Sequence, residues 1–400
     1  MSTPLITVAQ ARELVLAAVR PLESERVEID AALGRVLAQD IRAQDDVPLF
    51  PSSAMDGYAI TAGVGGRRLR VVGESRAGAP SDRVLGEGEA IRISTGAAVP
   101  AGATAVIPQE NVRLDGDVIE TGAATAPRQN VRSPGEDMRS GTTVLRAGVR
   151  LGAVELGAAV AAGAGAVLAA RAPRVSVLCT GDELRAPGDP LGPGEIHNSN
   201  APMLAGLATR AGASTAPALR LPDDRAATES GIALALERSD VVIISGGVSV
   251  GPHDHVKPAL AALGVEEVFW SVSLQPGKPT WFGTRAHRYV FGLPGNPVSA
   301  VVTFSLFVAP ALEALQGAEH RRRLESEAVL AEEVRRNPRR EQAVRVRLER
   351  DADGTRAFPN GAQGSHILTS LLGADALAMI PAGEGSLAAG TSVRLEELAG

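Results

Sequence analysis

Val241, Val242, Ile243 and Ile244 form an unbroken apolar run that breaks into Ser245, Gly246 and Gly247. β-branched residues without alternation suit a strand buried on both faces, as in a parallel sheet. Arg174–Thr180 reads as another strand, and Phe269–Val272 and Arg288–Phe291 are further candidates. Helical spacing separates them. Ser199 or Asn200 caps a helix to Arg210; a strand ending at Leu219 leads through Pro222-Asp223-Asp224 into a helix to Leu236. Another helix lies near Val256–Leu263. Pro297–Leu315 is a long apolar helix with Asn296 at its N-cap and Pro297 at the first helical position. This alternation predicts an open α/β sheet over 171–320.

The flanking segments follow other patterns. Thr7 can cap a helix through about Val19, with Ala11, Leu14, Val15 and Ala18 on one face and Pro21 as its stop. Asp30–Leu37 reads as a second short helical piece. Between Ser52 and about Leu145, short β-like runs at Leu69–Val72, Ala90–Ile93, Thr104–Pro108 and Val118–Glu120 alternate with Gly and Pro. Ala153–Ala170 predicts a helix followed by a strand. Beyond Gly317, Val344, Val346 and Leu348 alternate with arginines, and Asp353-Gly354 is a hairpin signal. The expected fold is α/β plus β, with four parts. These are a mixed helical linking domain of 1–45 and 138–170, a β-rich insertion of 46–137, the α/β domain of 171–320 and a C-terminal β domain of 321–400.

Composition removes several function classes. With 44% hydrophobic and 22% charged residues, the 400-residue chain is ordinary for a soluble protein of more than one domain. Aromatics at 3% and a net charge of −6 argue against stacking on bases or a nucleic-acid footprint. Arg321–Arg323 and Arg335–Arg340 are read as solvated clusters. A single cysteine, Cys179, forms no internal disulfide and reads as a small core residue. The opening MSTPLITVAQ lacks a basic region and a long apolar core, and Ala153–Ala170 is too rich in Ala and Gly for a membrane span. A cytoplasmic protein without membrane contact is expected.

The chemistry concentrates in loops at strand ends, where open α/β sheets bind ligands. Thr180-Gly181-Asp182-Glu183 offers a hydroxyl and two acids, and Asp223 and Asp224 offer two more. Ser245, Gly246, Gly247, Val248, Ser249, Val250 and Gly251 form a glycine-rich anion cradle with Asp254 just past it. Pro276-Gly277-Lys278-Pro279 places one cation on a rigid turn. Gly292-Leu293-Pro294-Gly295-Asn296-Pro297 ends at a helix start, which favours anions. Together these suit a phosphorylated ligand whose charge is bridged by Mg²⁺. The plain readings stand beside them: Asp182 or Glu183 as a cap, Asp223 and Asp224 as a helix start, GLPGNP as a helix entrance. His253 and His255 lack zinc-ligand spacing. No GxxxxGK[ST], GxGxxG or G-x-S-x-G is present.

Eight words run in order along the chain: SSAMDGYA at 52–59, RISTGAAVP at 92–100, SPGEDM at 133–138, TGDEL at 180–184, HNSN at 197–200, SGGVSVG at 245–251, PGKP at 276–279 and GLPGNPVS at 292–299. On these words the chain resembles the molybdopterin molybdenumtransferase family, bacterial relatives of the gephyrin E domain. The resemblance implies an elongated multi-domain protomer working as a homodimer, with an α/β domain similar to molybdopterin adenylyltransferase. It implies insertion of molybdate into adenylylated molybdopterin with release of AMP, and Mg²⁺ as the metal. Molybdopterin adenylyltransferase and molybdoenzyme chaperones would be further partners.

Carried over residue by residue, the family pattern assigns catalysis to Asp56, Thr95, Glu183, Asp223, Asp254, Lys278, Pro294 and Pro297. Substrate binding falls to Thr180, Gly181, Asp182, Asn200, Ser245, Gly246, Gly247, Val248, Ser249, Gly251, Pro276, Gly277, Gly295, Asn296 and Ser299. Lys278 and Ser299 would help to hold molybdate. Glu183, Asp223 and Asp254 would position Mg²⁺ or an attacking oxygen. Asp56 and Thr95 would complete the cleft from the partner subunit. Many relatives have lysine where this chain has Gln275; the lost cation bears on molybdate affinity, on tungstate as the alternative oxyanion and on division of labour with a paralogue. A scaffold built on the same fold and an adenylyltransferase are the competing functions.

Overall fold

Every residue of Val241–Ser245 is buried, and the chain is layered around this strand. The computed structural model describes residues 5–248, 255–319, 327–352 and 354–399. In chain order the α/β domain contains α1 (Val8–Ala18), β1 (Arg174–Thr180), α2 (Asn200–Arg210), β2 (Leu219–Leu221), α3 (Arg225–Arg238), β3 (Val241–Ser245), α4 (Val256–Ala262), β4 (Glu266–Trp270), β5 (Trp281–Arg285), β6 (Arg288–Leu293) and α5 (Pro297–Leu315). The sheet order is Ser214–Thr215, β1, β3, β6, β5, β4, with β2 also paired to β1. β1, β2, β3 and β6 are parallel; at one edge β5 is added antiparallel to β6, and β4 antiparallel to β5.

Successive strand side chains point to opposite faces, so the apolar run feeds two cores. Val241 and Ile243 join Val177 under α1, α2 and α5; Val242 and Ile244 join Leu178 under α3 and α4. Each fully buried Val, Leu or Ile contributes about 1.5–3 kcal/mol, so burial on both faces fixes β3 as the central strand. Among the described residues, α5 is the one helix long and apolar enough to cross a membrane. It is 89% buried inside the protein, which makes it a core helix. Its middle, Phe304–Val308, is a π-turn.

The structure corrects several expectations. Thr7 caps α1 through a reciprocal box with Gln10, but the buried face is Val8, Ala11 and Val15, while Leu14 is exposed. α1 packs in the α/β core rather than in the linking domain. Asp30–Leu37 is not a helix; only the turn Ile29–Ala31 is helical. Leu219 begins its strand instead of ending one, and β5 was not foreseen. Asn296 occupies the N-cap of α5 but makes no side-chain cap bond. Asp353, half of the hairpin signal, lies outside the described residues.

The insertion is a six-stranded sheet in the order Ala105–Pro108, Gly57–Ile60, Glu89–Ile93, Arg68–Ser75, Val118–Thr121, Val112–Asp115. Tyr58 and Ile60 pack on one of its faces and Ala59, Ile91 and Ile93 on the other. In the linking domain, Ser24–Glu28 pairs antiparallel with Ala166–Ala170. The C-terminal domain closes into a ring, because Glu341–Asp351 pairs with both Gly354–Pro359 and Ala376–Ile380. Glu327–Leu330 and Ser392–Glu397 complete it. Closure removes the open edges. Leu274-Gln275 adds to this barrel beside Glu341-Gln342, so the α/β domain and the barrel share hydrogen bonds.

Candidate active site

β1, β3 and β6 are aligned so that Cys179 faces Ser245 and Ser245 faces Leu293. Their carboxyl ends are therefore level. The loops leaving them open into one cleft of about 730 Å³, lined by Thr180, Glu183, Asn200, Ser245, Gly246, Gly247, Val248, Pro294, Gly295, Asn296 and Pro297. Segments more than a hundred residues apart in sequence thus meet at one surface.

Asn200 staples the two glycine-containing loops. Its amide donates to Ser245 Oγ at 2.9 Å and to the Gly295 carbonyl at 2.7 Å. Its own Oδ1 is buried without a partner, an acceptor available to a donor on a ligand. Gly246 donates its N–H to the Leu293 carbonyl, so that amide is committed to the fold and not to an anion. Gly246 and Gly247 have φ of +90° and +66°, and a Cβ on either would press on Thr180 Oγ1 at 2.8 or 3.0 Å. Only glycine lets the backbone turn this close to the strand end. The Trp270 indole N–H holds the Val248 carbonyl at 3.1 Å, and Lys257 lies 3.9 Å over the same ring.

The third wall comes from the C-terminal barrel, which the sequence reading missed. His366 and Leu368 line the cleft. Ser365 takes the Asn296 amide at 3.0 Å on its hydroxyl and the Val298 N–H at 3.2 Å on its carbonyl. One of the free donors at the start of α5 is thereby used. Behind this loop, Arg345 is 1% exposed. It donates to Ser370 Oγ and to the carbonyls of Ala362 and Gly364, with no carboxylate partner among them. Burial lowers its pKa to about 10, and its charge favours anions near the wall. His197 and Asn198 also line the cleft; the HNSN word contained them, although only Asn200 was singled out. For His366 the available signal was the Gly-Ser-His loop at 364–366.

The other expected residues lie around the cleft or apart from it. Asp182 and Asp223 face each other, each accepting the other's backbone N–H at 3.3–3.4 Å. Asp224 is the helix cap, holding the Ala227 N–H at 2.8 Å. Glu183 folds over Gly181 at the mouth. Pro279 lines the cleft, with exposed Lys278 beside it and Pro276 and Gly277 beneath. Ser299 is buried in α5 and does not line the cleft. Asp56 and Thr95 join in the insertion: Thr95 donates its N–H and hydroxyl to one Asp56 oxygen at 2.7 and 3.0 Å. These two bonds hold Asp56 below the ordinary carboxylate range. Neither lines the cleft of its own chain. Ser249, Gly251 and Asp254 lie outside the described residues. The Cys179 thiol is pushed up to about 11 by burial, which suits a core residue and not a nucleophile.

Comparison with known proteins covers nearly the whole chain. Residues 6–163 match the family model described as "MoeA N-terminal region (domain I and II)", 176–314 match "Probable molybdopterin binding domain", and 327–398 match "MoeA C-terminal region (domain IV)". A Haemophilus influenzae protein named molybdopterin molybdenumtransferase is 34% identical over 98% of this chain and 98% of its own. Mycobacterium tuberculosis molybdopterin molybdenumtransferase 2 is 34% identical over 98% and 99%. The crystal structure of the molybdopterin biosynthesis MoeA protein from Pyrococcus horikoshii superposes with a TM-score of 0.81 at 31% identity, covering 98% of this chain and all of that one.

Proposed function

Because the chain belongs to the molybdopterin molybdenumtransferase family, we propose that it inserts molybdenum from molybdate into adenylylated molybdopterin, acting as a cytoplasmic homodimer. Water opens the phosphoanhydride, so AMP leaves and the pterin keeps its own phosphate; the two dithiolene sulfurs replace two molybdate oxygens, which depart as water. The observation that carries this reading is the level alignment of three strand ends, which gathers the Thr180, Ser245 and Pro294 loops into one polar cleft.

The difficulty of the reaction is charge. Two unit like charges 4 Å apart repel by about 1 kcal/mol in water and about 4 kcal/mol near a protein surface, and here a polyanionic pterin must meet a dianion. The loop that begins at Ser245 and the Asn296-Pro297 start of α5 would receive phosphate and pterin, while the Ser245 hydroxyl itself donates to the Pro294 carbonyl at 3.4 Å. Lys278 would attract molybdate. Gln275, a neutral amide, supplies no charge there, and its Oε1 is occupied by the Asn337 amide of the barrel; molybdate and tungstate then compete with less help from the protein.

Among the described residues no three acidic, His or Cys side chains converge on one point. Mg²⁺ is held through one or two carboxylates plus substrate phosphates and not by an all-protein cage. Glu183 at the cleft mouth, with one carboxylate of the facing Asp182 and Asp223 pair, would supply those one or two carboxylates. Bound there, the ion would supply electrostatic stabilisation of the leaving phosphate. Asp56 and Thr95, paired with each other and away from their own chain's cleft, are suited to complete the partner's.

Incubating the protein with adenylylated molybdopterin, Mg²⁺ and molybdate should release AMP, with strong loss in Glu183→Ala. No AMP above a protein-free control ends the proposal. Mixing Asp56→Ala with Lys278→Ala protein should restore activity through one sound site per mixed dimer. No recovery despite verified subunit exchange removes the shared-cleft element.

A further inference from the structure

The alignment that levels the carboxyl ends of the strands also levels their amino ends. Arg174 opens β1, Asp240 precedes β3 and Arg288 opens β6. Asp240 is 2% exposed and receives three guanidiniums. Arg171 bonds it through both terminal nitrogens at 2.9 and 3.1 Å, Arg174 through its backbone N–H, Nε and Nη2 at 2.8–3.4 Å, and Arg288 through Nη1 at 2.9 Å. A carboxylate offers about four lone-pair positions, so Asp240 is saturated; Glu23 and Glu25 also act on Arg171, which leaves Arg174 and Arg288 with positive charge to spare.

These groups open onto a cleft of about 480 Å³ lined also by Arg20, Glu23, His287 and Tyr289. Arg20 adds a fourth guanidinium, tied among the described residues to the Ala17 and Val19 carbonyls, and Glu23 is the opposing acid. Arg174 Nη1 and Arg288 Nη2 have no hydrogen-bond partner among the described residues. The cleft lies at the far end of β3 from Ser245, roughly 16 Å away at about 3.3 Å per residue. It is therefore separate from the site already described, and its surplus positive charge runs against a chain of net charge −6.

We propose that this arginine cleft is a second anion site, which binds a phosphate dianion, free or as a monoester, through Arg20, Arg174 and Arg288. Arginine forks match phosphate oxygens in pairs. Because Arg20 follows α1 and Arg171 joins the linking domain to β1, an occupant would tie those segments to the sheet.

Equilibrium dialysis of the full chain against radiolabelled inorganic phosphate, at constant ionic strength set with chloride, tests the site. Saturable binding is expected, weakened about tenfold in Arg174→Gln, whose side chain is half exposed and whose backbone N–H bond to Asp240 survives the change. Arg20→Gln, which spares the Asp240 contacts, should weaken it likewise. Asn200→Ala, altered in the other cleft, should leave the affinity unchanged. Displacement by ribose 5-phosphate identifies a monoester ligand; its failure limits the site to free phosphate. No saturable binding, wild-type affinity in both arginine variants, or loss in Asn200→Ala instead would overturn the proposal.

Discussion

Asn200→Ala removes one amide and with it both ties between the Ser245 loop and the Gly295 loop, at 2.9 and 2.7 Å. A side-chain hydrogen bond contributes a net 0.5–1.5 kcal/mol, so the pair holds the two loops together by about 1–3 kcal/mol. Asn200 is only half-buried, and water can replace part of this. The lower half of the range is expected. One kcal/mol and a half is about tenfold in a local opening equilibrium. Hydrogen exchange of the Gly246 amide, which donates to Leu293, should accelerate by about that factor. AMP release should fall by 10-fold or more, since an ångström of misplacement can cost about 10²-fold. Asn200→Asp should be worse: a carboxylate cannot donate to the Gly295 carbonyl, and its charge opposes an anionic substrate. Wild-type exchange at 245–248 together with wild-type AMP release in Asn200→Ala would show that the staple does nothing.

Other residues give independent checks. Gln275→Lys should lower the KM for molybdate by restoring a cation, at about 1 kcal/mol of stability for the lost Asn337 bond; an unchanged KM refutes the charge argument. Trp270→Phe keeps the ring over which Lys257 lies but drops the bond to Val248, so kcat should fall several-fold while melting changes little; unaltered kcat would deny Trp270 a positioning role. Asp240→Asn leaves three arginines around a neutral group and should destabilise by about 3–5 kcal/mol. Burial raises the Asp240 pKa, but the Arg171 and Arg174 bonds outweigh it and hold the group well below 3.8. A depressed carboxylate stabilises the fold fully above its unfolded pKa and loses that contribution as pH falls below it. The acid limb of the wild-type stability profile should therefore flatten in Asp240→Asn, and an identical limb in both proteins would contradict this.

Much of the chain was legible from short-range physics. β1 begins and ends where its apolar run does, Thr7 caps α1 with Gln10 as partner, and Pro297 opens α5. Each depends on contacts within a few residues: a cap, a missing N–H, a period of two. Five of the eight words, at 180–184, 197–200, 245–251, 276–279 and 292–299, supply residues to the cleft wall, because a glycine turn beside a strand end is itself a local pattern. The alternation at Val344–Leu348 did mark a strand, but period two carries no sign that Arg345 is covered: a loop from a later part of the chain lies over that face and buries the guanidinium.

The sequence by itself determined the central strands β1, β3 and β6, the helices α1, α3 and α5 and which turns carry hydroxyls, acids and glycines, because those choices are made by neighbours along the chain. Only the tertiary structure decided that Thr180, Ser245 and Leu293 end level, that His366 faces them from the barrel, and that Arg174 and Arg288 crowd onto Asp240. Strand register, barrel closure and the covering of an arginine are set by burying apolar surface between distant segments. No window of sequence contains both partners of such a contact.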